Sequence, residues 1–157
     1  MALKVRRVVT GHDGAGNAVI VKDGIMENVI VMPSGSSAAL MWATDETPGP
    51  VDGDDDPSGR KLGIAPPEGG SAFRILEVAP GKKAFMHRTD TIDYVIVMKG
   101  ESVMLLDNGN EVQMQEGDVM VQRGTWHGWE NRSSQPCQIG FVLISAKPPS
   151  KHLHPDG

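Results

Sequence analysis

The chain has 157 residues, of which 39% are hydrophobic, 22% charged and 4% aromatic, a composition typical of one globular domain and not of a fibre or a disordered tail. Its single cysteine, Cys137, excludes an intrachain disulfide framework and favours a reducing compartment. No stretch approaches the ~18 consecutive apolar residues of a membrane helix, and the first ten residues lack the apolar core of a signal peptide. We therefore expect one cytoplasmic domain over residues 1–157 with no membrane contact.

The formal net charge of −5 is concentrated in one segment, residues 44–70. That segment has seven acidic and two basic side chains, so the rest of the chain is electrically balanced. A balanced chain has no basic stripe that could neutralise phosphates, which argues against a nucleic-acid partner. Five prolines and six glycines in the same segment exclude a helix and a central strand. The pattern predicts a long acidic loop, which is either a solvated excursion or a functional lid.

Outside the acidic loop, short β-branched and aliphatic runs alternate with Gly, Asn, Asp and Pro, and no helical period is present. The predicted strands, in chain order, span residues 4–9, 18–22, 28–32, 38–43, 72–79, 94–99, 102–106, 111–115, 119–122 and 138–144. Residues 107–110, Asp-Asn-Gly-Asn, predict a tight hairpin turn, because Asn and Gly tolerate positive φ. The close spacing of the strands predicts an all-β sandwich or barrel.

Two of the predicted strands contain continuous apolar runs. Residues 94–98 and 141–144 do not alternate with polar residues. A strand of this kind is usually covered on both faces. We therefore expect two packed sheets to cover both runs.

Two of the five histidines, His87 and His127, lie inside the strand-rich region and are candidates for chemistry. His87, Thr89 and Asp93 share parity, so they face one way in an extended chain. If the segment around His127 pairs beside this one, two imidazoles and one carboxylate converge. Such a set can bind ferrous iron or zinc. The alternative is that both histidines make ordinary structural hydrogen bonds.

Residues 81–100 and 117–131 resemble the two sequence motifs of the cupin family. The first segment has the pattern G-x5-H-x-T-x3-D-x6-G, similar to the family pattern G-x5-H-x-H-x3-4-E-x6-G. The second has G-x5-R-G-x2-H-x3-N, similar to G-x5-P-x-G-x2-H-x3-N but one residue shorter. The resemblance implies a jelly-roll barrel, or double-stranded β-helix, over about residues 70–146. Extra N-terminal strands would precede the barrel, and a C-terminal tail, residues 147–157, would follow it.

The resemblance also implies a ligand set. By position, His87 takes the first histidine of the family, Asp93 the glutamate and His127 the last histidine. Thr89 stands where the family has its second histidine, and Arg123 replaces the proline. The implied centre therefore has three protein ligands. It either binds a divalent Fe, Mn, Ni or Zn ion or holds no metal.

Three side chains near the motifs are candidates for binding a substrate. Tyr94 follows Asp93, and Trp129 shares the side of His127 and could form an aromatic wall. Arg88 could anchor a substrate carboxylate through bidentate contacts. The alternatives are a core aromatic for Trp129 and a salt bridge for Arg88.

Three classes of function remain open. The first is a metal-dependent enzyme, oxygenase-like or using Lewis-acid chemistry, that acts on a small organic substrate, aromatic substrates included. The second is a metal-free isomerase or dehydratase in which His87 or His127 is the acid or base, since imidazole titrates near neutral pH. The third is a non-catalytic module that binds a small ligand. The resemblance implies a dioxygenase-like oxidoreductase and a homodimer, for which residues 4–9 are a candidate pairing edge.

Overall fold

A computed structural model describes residues 3–155, which form strands joined by turns and loops. The described strands are β1 (Arg6–His12), β2 (Ala18–Ile25), β3 (Ile30–Val31), β4 (Ser37–Thr44), β5 (Ser71–Val78), β6 (Thr91–Lys99), β7 (Glu101–Leu105), β8 (Glu111–Gln115), β9 (Val119–Arg123), β10 (Gly128–Glu130) and β11 (Cys137–Ser145). Two short 3-10 turns lie at Pro57–Gly59 and Asp107–Gly109. The all-β prediction is confirmed. No helix in the described part of the chain is long and apolar enough to span a membrane.

The strands form three antiparallel sheets. A six-stranded sheet has the order β3-β4-β5-β11-β6-β9, a three-stranded sheet has the order β10-β7-β8, and β1 pairs with β2 in a separate hairpin. The two larger sheets enclose the main core, in which Val95 and Val97 of β6 pack with Met104 of β7 and Trp129 of β10. A second core lies on the other side of the six-stranded sheet, where the N-terminal segment packs on β4 and β5.

The inward and outward faces of β6 differ sharply. Its buried positions are Thr91, Asp93, Val95 and Val97, and the positions between them are exposed. The prediction that residues 94–98 are covered on both faces is therefore wrong for this strand. The physical reason is that the N-terminal segment covers β4 and β5 and leaves the outer face of β6 without a second layer among the described residues.

The predicted hairpin turn at residues 107–110 is confirmed. It joins β7 to β8, which pair in register from Glu101 opposite Gln115 to Leu105 opposite Glu111. Asn108 and Gly109 have φ values of 58° and 74°, the left-handed region that Asn and Gly tolerate best.

The acidic loop runs from the end of β4 to the start of β5 and contains only the turn Pro57–Gly59. Asp56 begins this turn by accepting a 3.0 Å hydrogen bond from the Ser58 amide. The Asp56 carboxylate also pairs with Arg7 of β1, and this guanidinium holds the pKa of Asp56 well below its usual range. Arg7 in turn donates to the Met41 carbonyl of β4 at 2.9 Å. The middle of the loop is therefore fastened to the N-terminal hairpin.

Candidate active site

His87 and His127 are brought together by a two-residue antiparallel bridge outside the long strands. The His87 amide donates to the His127 carbonyl and the His127 amide donates to the His87 carbonyl, each at 2.9 Å. The two imidazole centroids lie 4.4 Å apart, with the rings tilted by 58°. The structure thus places the histidines of the two separated segments side by side.

Both imidazoles are oriented by a backbone carbonyl two residues earlier in the chain. His87 Nδ1 lies 3.0 Å from the Phe85 carbonyl, and His127 Nδ1 lies 2.8 Å from the Thr125 carbonyl. Because a carbonyl oxygen only accepts, each Nδ1 carries a hydrogen, and His127 Nε2, which faces the Gln122 amide nitrogen, is an acceptor. Among the described residues, His87 Nε2 has no hydrogen-bond partner, so it is available to a ligand.

A run of buried hydrogen bonds, which we call the polar chain, connects Thr89, Thr91, Asp93, Gln122 and His127. The two threonine hydroxyls lie 2.6 Å apart, and the Thr91 hydroxyl donates to Asp93 Oδ1 at 2.6 Å. The Gln122 amide nitrogen donates to Asp93 Oδ2 and to His127 Nε2, each at 2.9 Å. An amide nitrogen carries two hydrogens, so Gln122 serves both acceptors at once.

Burial sets the protonation of the two titratable members of the polar chain. It raises the pKa of Asp93, although hydrogen bonds from Thr91 and Gln122 and the charge of His87 act in the opposite direction. It lowers the pKa of His127 to about 4, with the Thr125 carbonyl opposing the shift. His127 is therefore neutral at physiological pH and acts as a hydrogen-bond acceptor.

The polar chain borders a cavity of about 120 Å³ in the mouth of the barrel. Its polar lining comes from His87, Thr89, Asp93 and His127. The rest of the lining is mainly apolar: Ile64, Leu76, Trp129, Phe141 and Leu143, together with Arg74. Larger depressions lie elsewhere: those of about 520 and 480 Å³ are lined by no histidine, one of about 620 Å³ is lined by the exposed His12, and one of about 310 Å³ is lined by His152 and His154 of the C-terminal tail. Among these cavities of the described residues, the 120 Å³ cavity combines two histidines with a buried carboxylate, which favours it as the site.

Of the three predicted substrate-binding residues, only Trp129 lines this cavity. It is 7% exposed, and its ring and that of Phe141 form an edge-to-face pair with centroids 5.9 Å apart. Trp129 therefore belongs to both the core and the cavity wall. Tyr94 is 51% exposed, because the neighbour of an inward residue in a strand points outward. Arg88 is buried away from the cavity, where it pairs with Asp90 and donates to the Gly124 carbonyl at 2.9 Å.

Sequence reasoning missed Gln122 and Arg74. Gln122 lies opposite Asp93 in the register of β6 and β9, and Arg74 shares the inward parity of Leu76 in β5. Each is a polar residue at an inward position of a strand otherwise rich in apolar residues. That signal is present in the sequence, but only strand pairing shows which partner each residue meets.

The three-ligand metal site predicted from the sequence does not fit this arrangement. Both oxygens of Asp93 accept hydrogen bonds, and the Gln122 amide is bonded to Asp93 and His127. Within the described residues, no three His, Cys, Asp or Glu side chains are placed to hold a metal ion. Thr89, in the second-histidine position, bonds to Thr91. The side chains of Thr89, Asp93 and His127 are therefore engaged in hydrogen bonds in this arrangement.

Comparison with known proteins points to one family. Residues 74–144 match the family described as "Cupin domain". The chain is 36% identical over 151 residues to Phomopsin biosynthesis cluster protein C' of Diaporthe leptostromiformis, covering 90% of this chain and 79% of that one. It is 32% identical over 148 residues to the cupin-domain-containing oxidoreductase virC of Hypocrea virens, covering 90% and 76%.

The fold is also similar to a solved structure. The crystal structure of a Cupin 2 conserved barrel domain protein from Salinispora arenicola has a TM-score of 0.52 and 19% identity. The match covers 76% of this chain and 82% of that one. At this identity the likeness concerns the fold alone, and it confirms the predicted double-stranded β-helix barrel.

Proposed function

Because the chain belongs to the cupin family, we propose that it is an enzyme that transfers a proton on a small organic substrate held in the cavity beside His87. The observation that carries this proposal is the buried polar chain, which borders the cavity next to the unpartnered Nε2 of His87. An imidazole with one nitrogen fixed and the other free is suited to general acid–base catalysis.

In this proposal His87 is the acid–base group. Its Nδ1–H is held by the Phe85 carbonyl, so Nε2 accepts a proton from one atom of the substrate and returns it to another. The Asp93 carboxylate attracts the imidazolium that forms in between. Neutral His127 keeps Gln122 oriented toward Asp93. This sequence of steps corresponds to an isomerase or a dehydratase.

The cavity sets the size and polarity of the substrate. A volume of about 120 Å³ is small beside the ~300–1,000 Å³ of pockets that enclose drug-sized ligands. Trp129 and Phe141 supply aromatic surface. These features support a compact substrate with an apolar or aromatic part.

Hydrogen–deuterium exchange tests the proposal, because a base that removes a proton from carbon can return a deuteron from solvent in its place. Metal-depleted protein is incubated in D₂O with a panel of small aliphatic and aromatic carbonyl compounds, and loss of C–H signals is followed by proton NMR. We expect exchange with wild-type protein, none with His87→Gln, and unchanged exchange with His152→Gln, an exposed histidine in the C-terminal tail. Exchange that persists in His87→Gln contradicts the assignment of the base.

A metal-dependent oxidoreductase is the second candidate. It is favoured by the names of relatives such as virC and by the Nδ1 contacts of both histidines, since metal-binding histidines usually donate their other nitrogen to a carbonyl or carboxylate. It requires Gln122 to leave Asp93 and His127. Added Fe, Mn, Ni or Zn that raises the unfolding midpoint of wild-type protein, but not of His127→Gln, would support this candidate over the first.

We also propose a homodimer formed through the outer faces of β6 and β9. Six apolar side chains are exposed there: Ile92, Tyr94, Ile96, Met98, Val119 and Val121. Together they offer on the order of 600 Å² per chain, larger than most exposed patches of monomers and close to the ~800 Å² per partner of a stable interface. A second copy presents the same face, so the patch is self-complementary under two-fold symmetry.

Light scattering coupled to size-exclusion chromatography tests the dimer. We expect twice the 16.8 kDa chain mass for wild-type protein and for Ile20→Asp, a change on the exposed hairpin. Ile96→Asp should give the monomer mass, because it places a charge in the centre of the patch. Dissociation by Ile20→Asp alone would assign the interface to the hairpin and contradict the proposal.

A further inference from the structure

Arg74 differs from the other arginines in its surroundings. Arg6, Arg7, Arg60, Arg88 and Arg132 each pair with a carboxylate, and Arg123 is exposed. Arg74 is half-buried, lines the cavity, and has no acidic partner among residues 3–155. Its burial lowers its pKa, but a guanidinium stays charged in proteins.

Most of the hydrogen-bonding capacity of Arg74 is unused. Its Nη2 donates to the carbonyl of Gly63 in the acidic loop, and this is its one hydrogen bond to a described residue. A guanidinium has five N–H donors in a planar fork that matches the two oxygens of a carboxylate. A half-buried guanidinium without a carboxylate partner in the lining of this cavity therefore favours an anionic ligand.

The indole N–H of Trp129, another residue of the cavity lining, has no hydrogen-bond partner among the described residues. Trp129 is 7% exposed. Buried N–H groups without an acceptor are rare in native proteins, and each one needs an explanation.

We propose that Arg74 binds a carboxylate of the substrate, which makes the substrate class a small carboxylic acid with an apolar or aromatic body. That the ligand is a substrate rests on the proposed function. The apolar body would lie against Leu76, Phe141 and Leu143, and the reacting part would face His87. Arg74 is thus a binding residue, and the chemistry stays with the polar chain.

Electrostatics makes Arg74 the residue that allows the cavity to bind an anion. The cavity holds the Asp93 carboxylate, and the acidic loop outside carries a net charge of −5. Both repel an anion, so a carboxylate enters only where a guanidinium offsets that repulsion.

The contacts of Arg74 also involve the acidic loop in binding. Gly63 accepts a hydrogen bond from Arg74, and its neighbour Ile64 lines the cavity. Because a carboxylate can use the remaining donors of the guanidinium, the loop can stay in place over a bound acid. Of the two roles predicted for the acidic loop, this favours a functional lid over a solvated excursion for its second half.

Paired ligands test the proposal. Benzoate and benzamide have nearly the same shape, but only benzoate is charged, and both are titrated into the protein by calorimetry and by NMR. We expect wild-type protein to bind benzoate roughly 10-fold or more tightly than benzamide, and Arg74→Gln to lose that preference while its benzamide affinity stays within about 3-fold. Arg123→Gln, an exposed arginine, should behave as wild type, and Arg74→Lys should keep part of the preference.

Equal binding of the two ligands by wild-type protein, or no binding of either, overturns the proposal without any variant. A benzoate preference that survives in folded Arg74→Gln, judged by an unchanged unfolding midpoint, also overturns it. If Arg74→Gln does not fold, the wild-type preference and Arg74→Lys decide. Failure of the proposed function is distinguishable: benzoate then binds through Arg74, yet no compound in the panel of carbonyl compounds exchanges protons with D₂O.

Discussion

The inward face of β6 is divided into two halves with opposite chemistry. Thr91 and Asp93 belong to the polar chain, whereas Val95 and Val97, at the next inward positions of the same strand, are 1% exposed in the main core. The strand geometry is the same in both halves, so the difference comes from what the neighbouring strands place opposite them. Gln122 of β9 faces Asp93, whereas Ile139 of β11 packs in the valine cluster.

The division shows how a small barrel can hold buried titratable groups. Burying a carboxylate and an imidazole is costly unless their hydrogen bonds are made. The apolar half supplies stability through packing. In the polar half the Asp93 and His127 side chains have hydrogen-bond partners, whereas Gln122 Oε1 is buried without one among the described residues. Variants in the two halves should therefore fail in different ways.

The largest effect is expected in the apolar half. Ile139→Ala removes a fully buried side chain and should lower the free energy of unfolding by about 3 kcal/mol, measured by urea denaturation at pH 7. Binding in the cavity should stay within a few-fold of wild type. Val142→Ala, at a half-buried position of the same strand, should cost less than about 1 kcal/mol. Equal costs for the two variants would show that the inward face is not the packed one.

The polar half should make stability depend on pH through His127. Its pKa is about 4 in the folded protein, against an ordinary value of 6.5, so below pH 6.5 the unfolded chain binds a proton that the folded protein does not. The contribution of neutral His127 to the free energy of unfolding is therefore fully present above pH 6.5. It decreases as the pH falls toward 4, by up to about 3 kcal/mol. In His127→Gln this part of the pH dependence should be missing. Parallel profiles for the two proteins would contradict a buried neutral imidazole.

Breaking the polar chain at its centre should have an intermediate effect. Gln122→Leu leaves an oxygen of Asp93 and Nε2 of His127 without a donor, which should cost about 2 kcal/mol and raise the pKa of Asp93 further. Carboxyl carbon NMR measures that pKa. Gln113→Leu, an exposed amide on β8, is the matched control and should change stability by less than about 0.5 kcal/mol. A pKa of Asp93 that does not rise in Gln122→Leu would remove Gln122 from the polar chain.

The smallest effect is expected where the acidic loop is fastened to the N-terminal hairpin. Asp56→Asn removes the ion pair with Arg7 and should cost about 1 kcal/mol at pH 7, with faster proteolysis of the loop. Because the pKa of Asp56 is lowered in the folded protein, this contribution is present above the usual carboxyl pKa and is lost as the pH falls below it. Wild type and variant should therefore converge in acid. Asp23→Asn, in an exposed pair with Arg6, should show no such difference at pH 7.

Some features follow from local sequence because the chemistry of a few neighbouring residues decides them. The turn at residues 107–110 needs only Asn and Gly to reach positive φ. The two-residue period of a strand is enough to place Asp93 and Tyr94 on opposite faces. Tyr94 is nevertheless predicted to bind substrate, because it follows Asp93 in the sequence. Its outward position is decided by which face of β6 meets the three-stranded sheet.

Other features depend on residues distant in the chain. Asp93 and Gln122 are 29 positions apart, and the sequence does not state that they share a hydrogen bond. The same is true of Arg74, which lines the same cavity as His87 because of the pairing of β5, β11 and β6. Arg88 is a reasonable candidate anchor by its charge, but the fold pairs it with Asp90 and leaves Arg74 in the cavity.

By itself the sequence determined the all-β class, the hairpin turn, the acidic loop and the two histidine segments, because each depends on backbone preferences or composition over a few residues. Only the tertiary structure decided that the Asp93 carboxylate is occupied by Thr91 and Gln122 and that Arg74 lines the cavity. A side chain's partners depend on which strands become neighbours, and strand pairing joins residues that local preferences do not connect.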